Sequence, residues 1–366
     1  MKKTLVALAV TAFAASASAT TVYDAEGSKV DFDGSLRIVL DRTNSKELDS
    51  KGSLVAITDK DGKVTGYKKK EAHTGIRNAG SRFGVRVKHD LAQDFYALGR
   101  VEFRFNKNTS DDGFGDLYTK RAYVGLGSKQ YGELTFGRQL TIADDLSQSV
   151  DYNYGINPKG DYIQTDGNQV IRYDYRGVEN LHVSANYNFA QDRDAAGEVL
   201  VNSLQNAYGI GALYTVDNWD LRAAYGHTNY KTATDSTKHR KDGVLGSVGY
   251  KFGDLKLSVD SGYRHEKVEN EKGNAFYVSP NFEYQVVPAS KVYGNYLYER
   301  EKVKNLSKEK THGFLLGVDY QFHKQVVAFV EGSYTRTKGY NKVTNGYEYT
   351  GKSTNKAIGV GMRVYW

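Results

Sequence analysis

The feature that most constrains this chain is an alternation of apolar and polar residues with a period of two, repeated along its length and interrupted by turns. Between Lys29 and Arg42, apolar residues occupy even positions such as Val30 and Leu36, whereas polar residues such as Arg37 occupy odd positions. This period places successive side chains on opposite faces of a β-strand. About 16 such segments can be counted, and none shows sustained helical spacing. The pattern predicts an all-β fold.

The connectors between these segments alternate between short and long. The short ones are turn-like: 217–218, 253–254, 288–290 and 323–324. The long ones are polar and charged: 43–80, 106–116, 231–241, 302–310 and 338–355. This layout is typical of outer-membrane barrels, in which a spanning strand needs about 10 residues. We therefore expect a 16-stranded antiparallel transmembrane β-barrel with short periplasmic turns and long extracellular loops. The strands of a soluble sandwich would show the same alternation, with the apolar face toward a core and the polar face toward water. In a large barrel the apolar face meets lipid and the charged face lines the lumen.

The N-terminus has the features of an export signal. Lys2 and Lys3 precede an apolar run over residues 5–15, and residues 17–19 (Ala-Ser-Ala) form a small-residue cleavage site. We expect residues 1–19 to be a signal peptide and residues 20–366 to form the barrel. The run is too short for a membrane-spanning anchor, which is the alternative.

Composition removes several other classes of protein. The chain has no cysteine, so disulfides, thiolate metal sites and cysteine nucleophiles are excluded. Aromatic residues at 13% argue against disorder, and beyond the N-terminus no run of about 18 apolar residues predicts a spanning helix. The eight histidines are scattered, and the charge of +7 is modest. We expect no cofactor, no metal, no catalytic residue and no nucleic-acid partner.

Two residues in the later strands carry specific expectations. Trp366 ends an alternating segment with Ile358, Val360, Met362 and Val364 on one face, so it should pair the last strand with the first and close the barrel. Pro280 removes a ladder donor, and we expect a bulge or a loop boundary there.

Several segments together resemble a known family. They are VYDAEGSKVDFDGSLRI (22–38), GSRFGVRVKHDL (80–91), FYALGRVEFRF (95–105), RAYVGL (121–126), YGELTFGRQ (131–139) and the C-terminal strand. Their order and spacing are similar to those of the Gram-negative trimeric general porins, above all the Haemophilus and Pasteurella type. One departure is Trp366, where the family usually ends in phenylalanine.

The resemblance implies a homotrimer in the outer membrane, among lipid and lipopolysaccharide, with a third loop folded into each lumen. It also implies passive diffusion of small hydrophilic solutes and ions between acidic residues on that loop and a basic wall. The third connector, at about 139–168, carries Asp144, Asp145, Asp151 and Asp161. The family's basic-wall positions fall on Ser35, Arg82, Lys120 and Asn168, of which two are uncharged.

Strand parity suggests which further charges face the lumen. It points Arg37, Arg100, Arg104 and Arg172 inward, with Glu102 among them. The same parity turns Arg121 outward if Lys120 faces inward, which leaves the orientation of that strand open. A general diffusion porin is the leading interpretation, and a sugar-selective porin, a barrel enzyme and an adhesin are the alternatives. The Lys68–Lys70 run suits a solvated loop or a lipopolysaccharide contact.

Overall fold

The computed structural model describes residues 19–106, 113–232 and 238–366, apart from the side chains of residues 72 and 73. The predicted signal peptide lies, except for Ala19, outside the described residues. Sixteen strand positions form the wall, and we number them in chain order: β1 (Ser28–Asp49), β2 in two pieces (Lys69–Asn78 and Arg82–Asp90), β3 (Phe95–Phe105), β4 (Leu117–Ser128), β5 (Gly132–Leu140), β6 (Asp166–Val178), β7 (Leu181–Asn188), β8 (Val199–Val216), β9 (Trp219–Tyr230), β10 (His239–Phe252), β11 (Leu255–Val268), β12 (Glu271–Val287), β13 (Ser290–Val303), β14 (Ser307–His323), β15 (Val326–Val343) and β16 (Gly346–Tyr365).

Smaller elements complete the described chain. A short strand, Thr20–Ala25, pairs with the start of β1, and a two-stranded hairpin, Ala56–Thr58 with Val64–Tyr67, lies in the first loop. The short strand Gln191–Arg193 pairs with β8. The third loop holds a 3-10 helix, Ile142–Asp145, and a one-turn α-helix, α1 (Lys159–Tyr162). No helix in the described ranges is long and apolar enough to cross a bilayer.

The barrel closes between its first and last strands. β1 pairs antiparallel with β16 from Ser35 opposite Tyr365 to Asp49 opposite Gly351. Beyond that pairing, the Gly34 and Trp366 backbones exchange hydrogen bonds of 3.0 and 3.2 Å. The predicted 16-stranded antiparallel barrel is confirmed.

The two faces of the wall have opposite chemistry. Outward residues are apolar and exposed, as at Leu36 on β1 and Val124 on β4. Inward residues are polar and mostly buried, as at Asp33, Arg100 and Glu102. Buried apolar clusters lie where the third loop packs against the wall, and one of them joins Ile142 and Tyr162 to inward-facing residues of β9, β10, β12 and β13. The buried apolar clusters that form the core therefore also hold the third loop in place against the wall.

Two of the connectors that we expected to be long loops are tall hairpins, so that expectation was wrong there. The segments 302–310 and 338–355 are strand except for turns at 304–306 and 344–345. Strands that rise beyond a bilayer are wetted on both faces, so they carry polar residues throughout and read like loops in the sequence.

Pro280 also departs from expectation. It lies inside β12 opposite Val259, and the register runs on without a shift on either side of it. Its ring occupies an outward, exposed position, so the strand accommodates the missing donor without a bulge.

Candidate functional site: the constricted lumen

The third loop, residues 141–165 between β5 and β6, lies inside the barrel and is fixed at its base. Thr141 Oγ1 caps the 3-10 helix by accepting from the Ala143 N–H, and it donates to the Gln164 carbonyl at 2.7 Å. The Thr141 N–H bonds the Thr165 carbonyl at 2.9 Å. These bonds join the two ends of the loop, so its centre is directed across the lumen.

Glu331 on β15 holds the centre of the loop. Its carboxylate accepts from three consecutive backbone N–H groups, those of Tyr152, Asn153 and Tyr154, at 2.6, 2.8 and 2.7 Å. It also accepts from the Tyr293 hydroxyl at 2.9 Å, and the Glu331 residue is fully buried. Charge-assisted hydrogen bonds of this kind are roughly twice as strong as neutral ones.

Asp260 on β11 forms a second anchor. It accepts from the Gln148 N–H at 3.0 Å, the Ser147 hydroxyl at 2.7 Å and the Asn157 amide at 2.9 Å. The Ser247 hydroxyl on β10 adds a fourth bond at 2.5 Å. Neither anchor was predicted from the sequence, although Asp260 and Glu331 stand at lumen-facing positions of strands in which apolar and polar residues alternate.

Four of the predicted basic-wall residues lie together around Glu102. Arg104 Nε donates to Glu102 Oε1 at 2.5 Å, and Arg100 NH2 donates to Oε2 at 3.1 Å. Arg37 and Arg82 stand close enough to Arg104 for mutual repulsion.

Neighbouring polar groups orient this cluster. Arg100 is held from its other side by Asp33, with two bonds of 2.6 and 2.7 Å. Arg37 Nε donates to the Ser35 hydroxyl at 2.7 Å.

A β-bulge in β4 resolves the orientation of Lys120 and Arg121. In the pairing of β3 with β4, Glu102 stands opposite Arg121 and Phe103 opposite Thr119, so Lys120 is an extra residue. Arg121 Nε lies 3.6 Å from Glu102 Oε2, and Lys120 pairs with Asp166. Arg121 therefore reaches the lumen, and Lys120, as the extra residue of the bulge, turns toward its partner on β6.

Arg172 and Asn168 on β6 bond groups outside the cluster around Glu102. Arg172 bonds the Leu140 carbonyl at 2.8 Å, and its NH2 lies 2.8 Å from Asp174. Asn168 donates to the Arg193 carbonyl at 2.7 Å, in the connector that follows β7. Arg172 thus supports the base of the third loop, and Asn168 supports an outer connector.

The four loop aspartates occupy different surroundings. Asp144 pairs with Lys159 of the same loop at 3.4 Å. Burial, and then repulsion from Asp144, raise the pKa of the Asp145 carboxyl. The Asp161 carbonyl accepts from Lys241 at 2.9 Å on β10 and from Arg264 at 3.2 Å on β11. Asp151 lies beside Gly155, where an added Cβ would come within 2.7 Å of its carboxylate. The roles of these four residues in permeation stay predictions.

Arg363 on β16 is a wall residue that sequence reasoning missed. It donates to the Tyr152 carbonyl, and its guanidinium lies 4.6 Å from the centre of the Tyr152 ring. That ring stacks on Phe329 with centroids 4.6 Å apart. Arg363 stands close to Arg37 as well, so it extends the basic wall to the centre of the third loop. Arg363 stands at an odd position between the outward-facing Met362 and Val364, and this parity could have indicated that it faces the lumen.

The described residues offer no obvious place for a metal. No group of three or more histidine or carboxylate side chains among them could hold an ion. What they form is a closed, charge-lined passage, narrowed by a loop that two wall carboxylates hold in place.

The sequence profile of the Gram-negative porins matches residues 4–340. This chain belongs to the Gram-negative porin family. The porin is 31% identical over 394 aligned positions to the "Major outer membrane protein" of Pasteurella multocida, with all of both chains covered. These matches confirm the resemblance seen in the sequence and place the porin in the outer membrane.

Solved structures share the porin's fold. OmpT, an outer membrane protein of Vibrio cholerae, superposes with a TM-score of 0.67 at 20% identity, covering 94% of this chain and 99% of that one. The anion-selective porin from Comamonas acidovorans gives a TM-score of 0.60 at 17% identity, covering 93% and 100%. At such low identity these likenesses establish the architecture alone.

Proposed function

We propose that this porin is a general diffusion channel that lets small hydrophilic solutes and ions cross the outer membrane passively. The observation that carries the proposal is the lumen itself. A closed wall with a polar inner face surrounds a third loop that Glu331 and Asp260 tether across the passage. Such a wall excludes lipid and leaves a wet path whose width the loop limits.

The charges at the constriction supply selectivity without chemistry. The arginines around Glu102 form one side, and the loop that carries Asp144, Asp145, Asp151 and Asp161 crosses the lumen. Opposite charges about 10 Å apart act within a Debye length, and low-dielectric walls focus the field between them. Polar solutes orient in this field, whereas apolar solutes displace ordered water without compensation. We propose no catalytic role for any residue.

The finer features of the assembly belong to the same proposal. We propose a homotrimer surrounded by outer-membrane lipid and lipopolysaccharide, produced from a precursor whose first 19 residues are removed. The exposed apolar face of β2 to β5, with Val85, Val101, Val124, Leu126 and Phe136, suits lipid or a second subunit. Mass spectrometry of protein from outer membranes should give Thr20 as the first residue, and light scattering in detergent should give three chains.

Liposome swelling tests the transport itself. Liposomes containing the refolded porin should admit neutral sugars at rates that fall steeply with sugar size and show no saturation. Protein-free liposomes provide the control. Swelling no faster than in that control would contradict the proposal. Uptake of one sugar that saturates while others stay slow would favour the sugar-selective alternative.

A further inference from the structure

The outward face of β13 to β16 carries a row of cations that the transport function does not use. The register places Arg300 opposite Lys310, Lys310 opposite Lys338, and Lys338 opposite Lys352. Residues directly opposite each other in antiparallel strands share a face, with Cβ atoms about 5 Å apart. One basic residue from each of four neighbouring strands therefore forms a continuous row, which we call the cationic row.

The row lies on the outside of the barrel. Phe314 is 56% exposed and four residues from Lys310, and Ile358 is 58% exposed and six residues from Lys352, with no register shift between these positions. Even spacings keep side chains on one face. The cations therefore stand above the lipid-facing apolar belt, on the side of the barrel that carries the long loops.

Like charges placed directly opposite each other destabilise a sheet, so the row needs a compensating anion. None of its four members forms an ion pair with a carboxylate of the described residues. Glu301 and Glu309 of the same strands stand opposite each other one position away in register, which puts them on the lumen face. Charge is thus sorted by face, and the outward face of these strands lacks its own counter-ions.

The positions around the row add to this charge. Lys302 stands opposite Lys308 two register positions further out, on the same face, and Lys308 is repelled by Lys310, Arg300 and Lys302. Below the row, the Arg336 Nε is buried and has no hydrogen-bond partner among the described residues. The Arg336 guanidinium adds a further positive charge to this part of the wall.

The height of the charged surface identifies the kind of partner. Basic residues continue from Arg336 to Lys342 on β15, and Lys356 stands opposite Tyr334, so the surface spans about eight residues. That is about 26 Å along the strand, or about 20 Å along the axis of a barrel whose strands tilt by about 40°. A phospholipid headgroup layer adds only about 5–8 Å to each side of the hydrocarbon core. A phosphorylated glycolipid with a sugar core has the required thickness.

Tyrosines fit the same partner. Lys308 lies 4.7 Å from the Tyr340 ring and 4.4 Å from the Tyr347 ring, at the outer end of the surface. These cation–π contacts hold the Lys308 ammonium in place at the rim, and ammonium groups suit phosphate.

We infer that the cationic row and its flanking residues bind lipopolysaccharide, with phosphates on the cations and acyl chains on the apolar belt below. The inference deepens the lipopolysaccharide contact in the proposed function and rests on it.

Binding of purified lipopolysaccharide to the full-length porin in detergent tests this inference. The test variant combines Lys310→Gln, Lys338→Gln and Lys352→Gln. The control combines Lys129→Gln, Lys251→Gln and Lys324→Gln, at exposed positions in or beside the short turns, with the same loss of charge. A basic residue near an anionic surface contributes roughly fivefold in affinity, so the test variant should bind on the order of 100-fold more weakly. The control should bind like the wild type, and dephosphorylated lipopolysaccharide should bind weakly to all three.

Four results would overturn the inference. They are no binding to the wild type, equal losses in both variants, equally tight binding of phosphatidylglycerol vesicles with the same loss, or a changed oligomeric state of the test variant alone. Planar-bilayer conductance of the three proteins distinguishes a failure of this inference from a failure of the proposed function. The test variant should conduct like the wild type, whereas a wild type that did not conduct would contradict the channel and not the lipid contact.

Discussion

Gly34 and Trp366 show how single residues determine the closure of the wall. A Cβ added at Gly34 would lie 2.4 Å from the Trp366 ring and 2.9 Å from the Arg82 carbonyl. The Trp366 ring also lies against Phe32, with centroids 6.3 Å apart. Only glycine leaves room for the terminal aromatic ring at the seam between β1 and β16.

We predict that Gly34→Ala lowers the free energy of unfolding by about 1–3 kcal/mol, because overpacking displaces the ring or the strand. Urea titration in lipid vesicles measures the change. Gly75→Ala on β2 is the matched control, since no atom lies within 4 Å of its added Cβ. Adding Trp366→Ala to Gly34→Ala should recover part of the loss. Equal stability of both glycine variants would contradict the close packing at the seam.

Asp151→Asn should shift ion selectivity toward anions, because it removes a negative charge from the third loop within the lumen. The reversal potential in a salt gradient across a planar bilayer measures the shift. Asp254→Asn, in the short turn after β10, makes the same change of charge away from the constriction. An unchanged reversal potential for Asp151→Asn would place that carboxylate outside the ion path.

The raised pKa of Asp145, in the third loop, predicts that the ion selectivity of the channel depends on pH. Its pKa is raised by burial and by Asp144, so the carboxyl gains its negative charge only above the usual aspartate range. Cation preference should therefore rise with pH through that range and above it. Asp145→Asn should flatten the upper part of this rise in reversal-potential measurements. An identical pH profile for the variant and the wild type would exclude the Asp145 charge from selectivity.

At the scale of elements, the third loop depends on wall carboxylates for its position. Glu331→Gln keeps the shape of the side chain but weakens three backbone hydrogen bonds to a charge, each worth about 1.5–3 kcal/mol. We predict a noisier open channel with more frequent brief closures in single-channel records. Glu348→Gln, at an exposed position near the tip of β16, should leave the noise unchanged. Quiet records from Glu331→Gln would show that other contacts suffice to hold the loop.

The elements also show what the sequence could and could not reveal. Alternation predicted the strands and the faces of Arg37, Arg100 and Glu102, because a membrane wall keeps a strict period of two. It failed at Lys120, where one extra residue shifts the parity without any change in composition. It could not assign Asp260 and Glu331 as anchors, since that role depends on the path of a loop without periodicity. The tall hairpins escaped notice because strands wetted on both faces lack an apolar stripe.

At the scale of the whole molecule, the chain organises charge and apolar surface in concentric layers. Apolar side chains face outward around the middle of the wall, and charged side chains face the lumen. Burial concentrates between the third loop and the wall rather than in a central core. This arrangement accounts for a mean hydropathy of −0.59 in a membrane protein.

The most direct test of an aqueous lumen behind a lipid-facing wall uses single introduced cysteines. Because the chain has no native cysteine, any reaction with a thiol reagent comes from the introduced residue. The substitutions Arg104→Cys and Val101→Cys place a thiol at two positions of the same strand, β3. Residue 104 faces the lumen and residue 101 faces outward. Single-channel conductance is recorded before and after addition of a charged, membrane-impermeant thiol reagent. We predict a stepwise fall in conductance for Arg104→Cys and no change for Val101→Cys. No effect at Arg104→Cys, or an equal effect at both positions, would contradict a water-filled channel lined by that face of the wall.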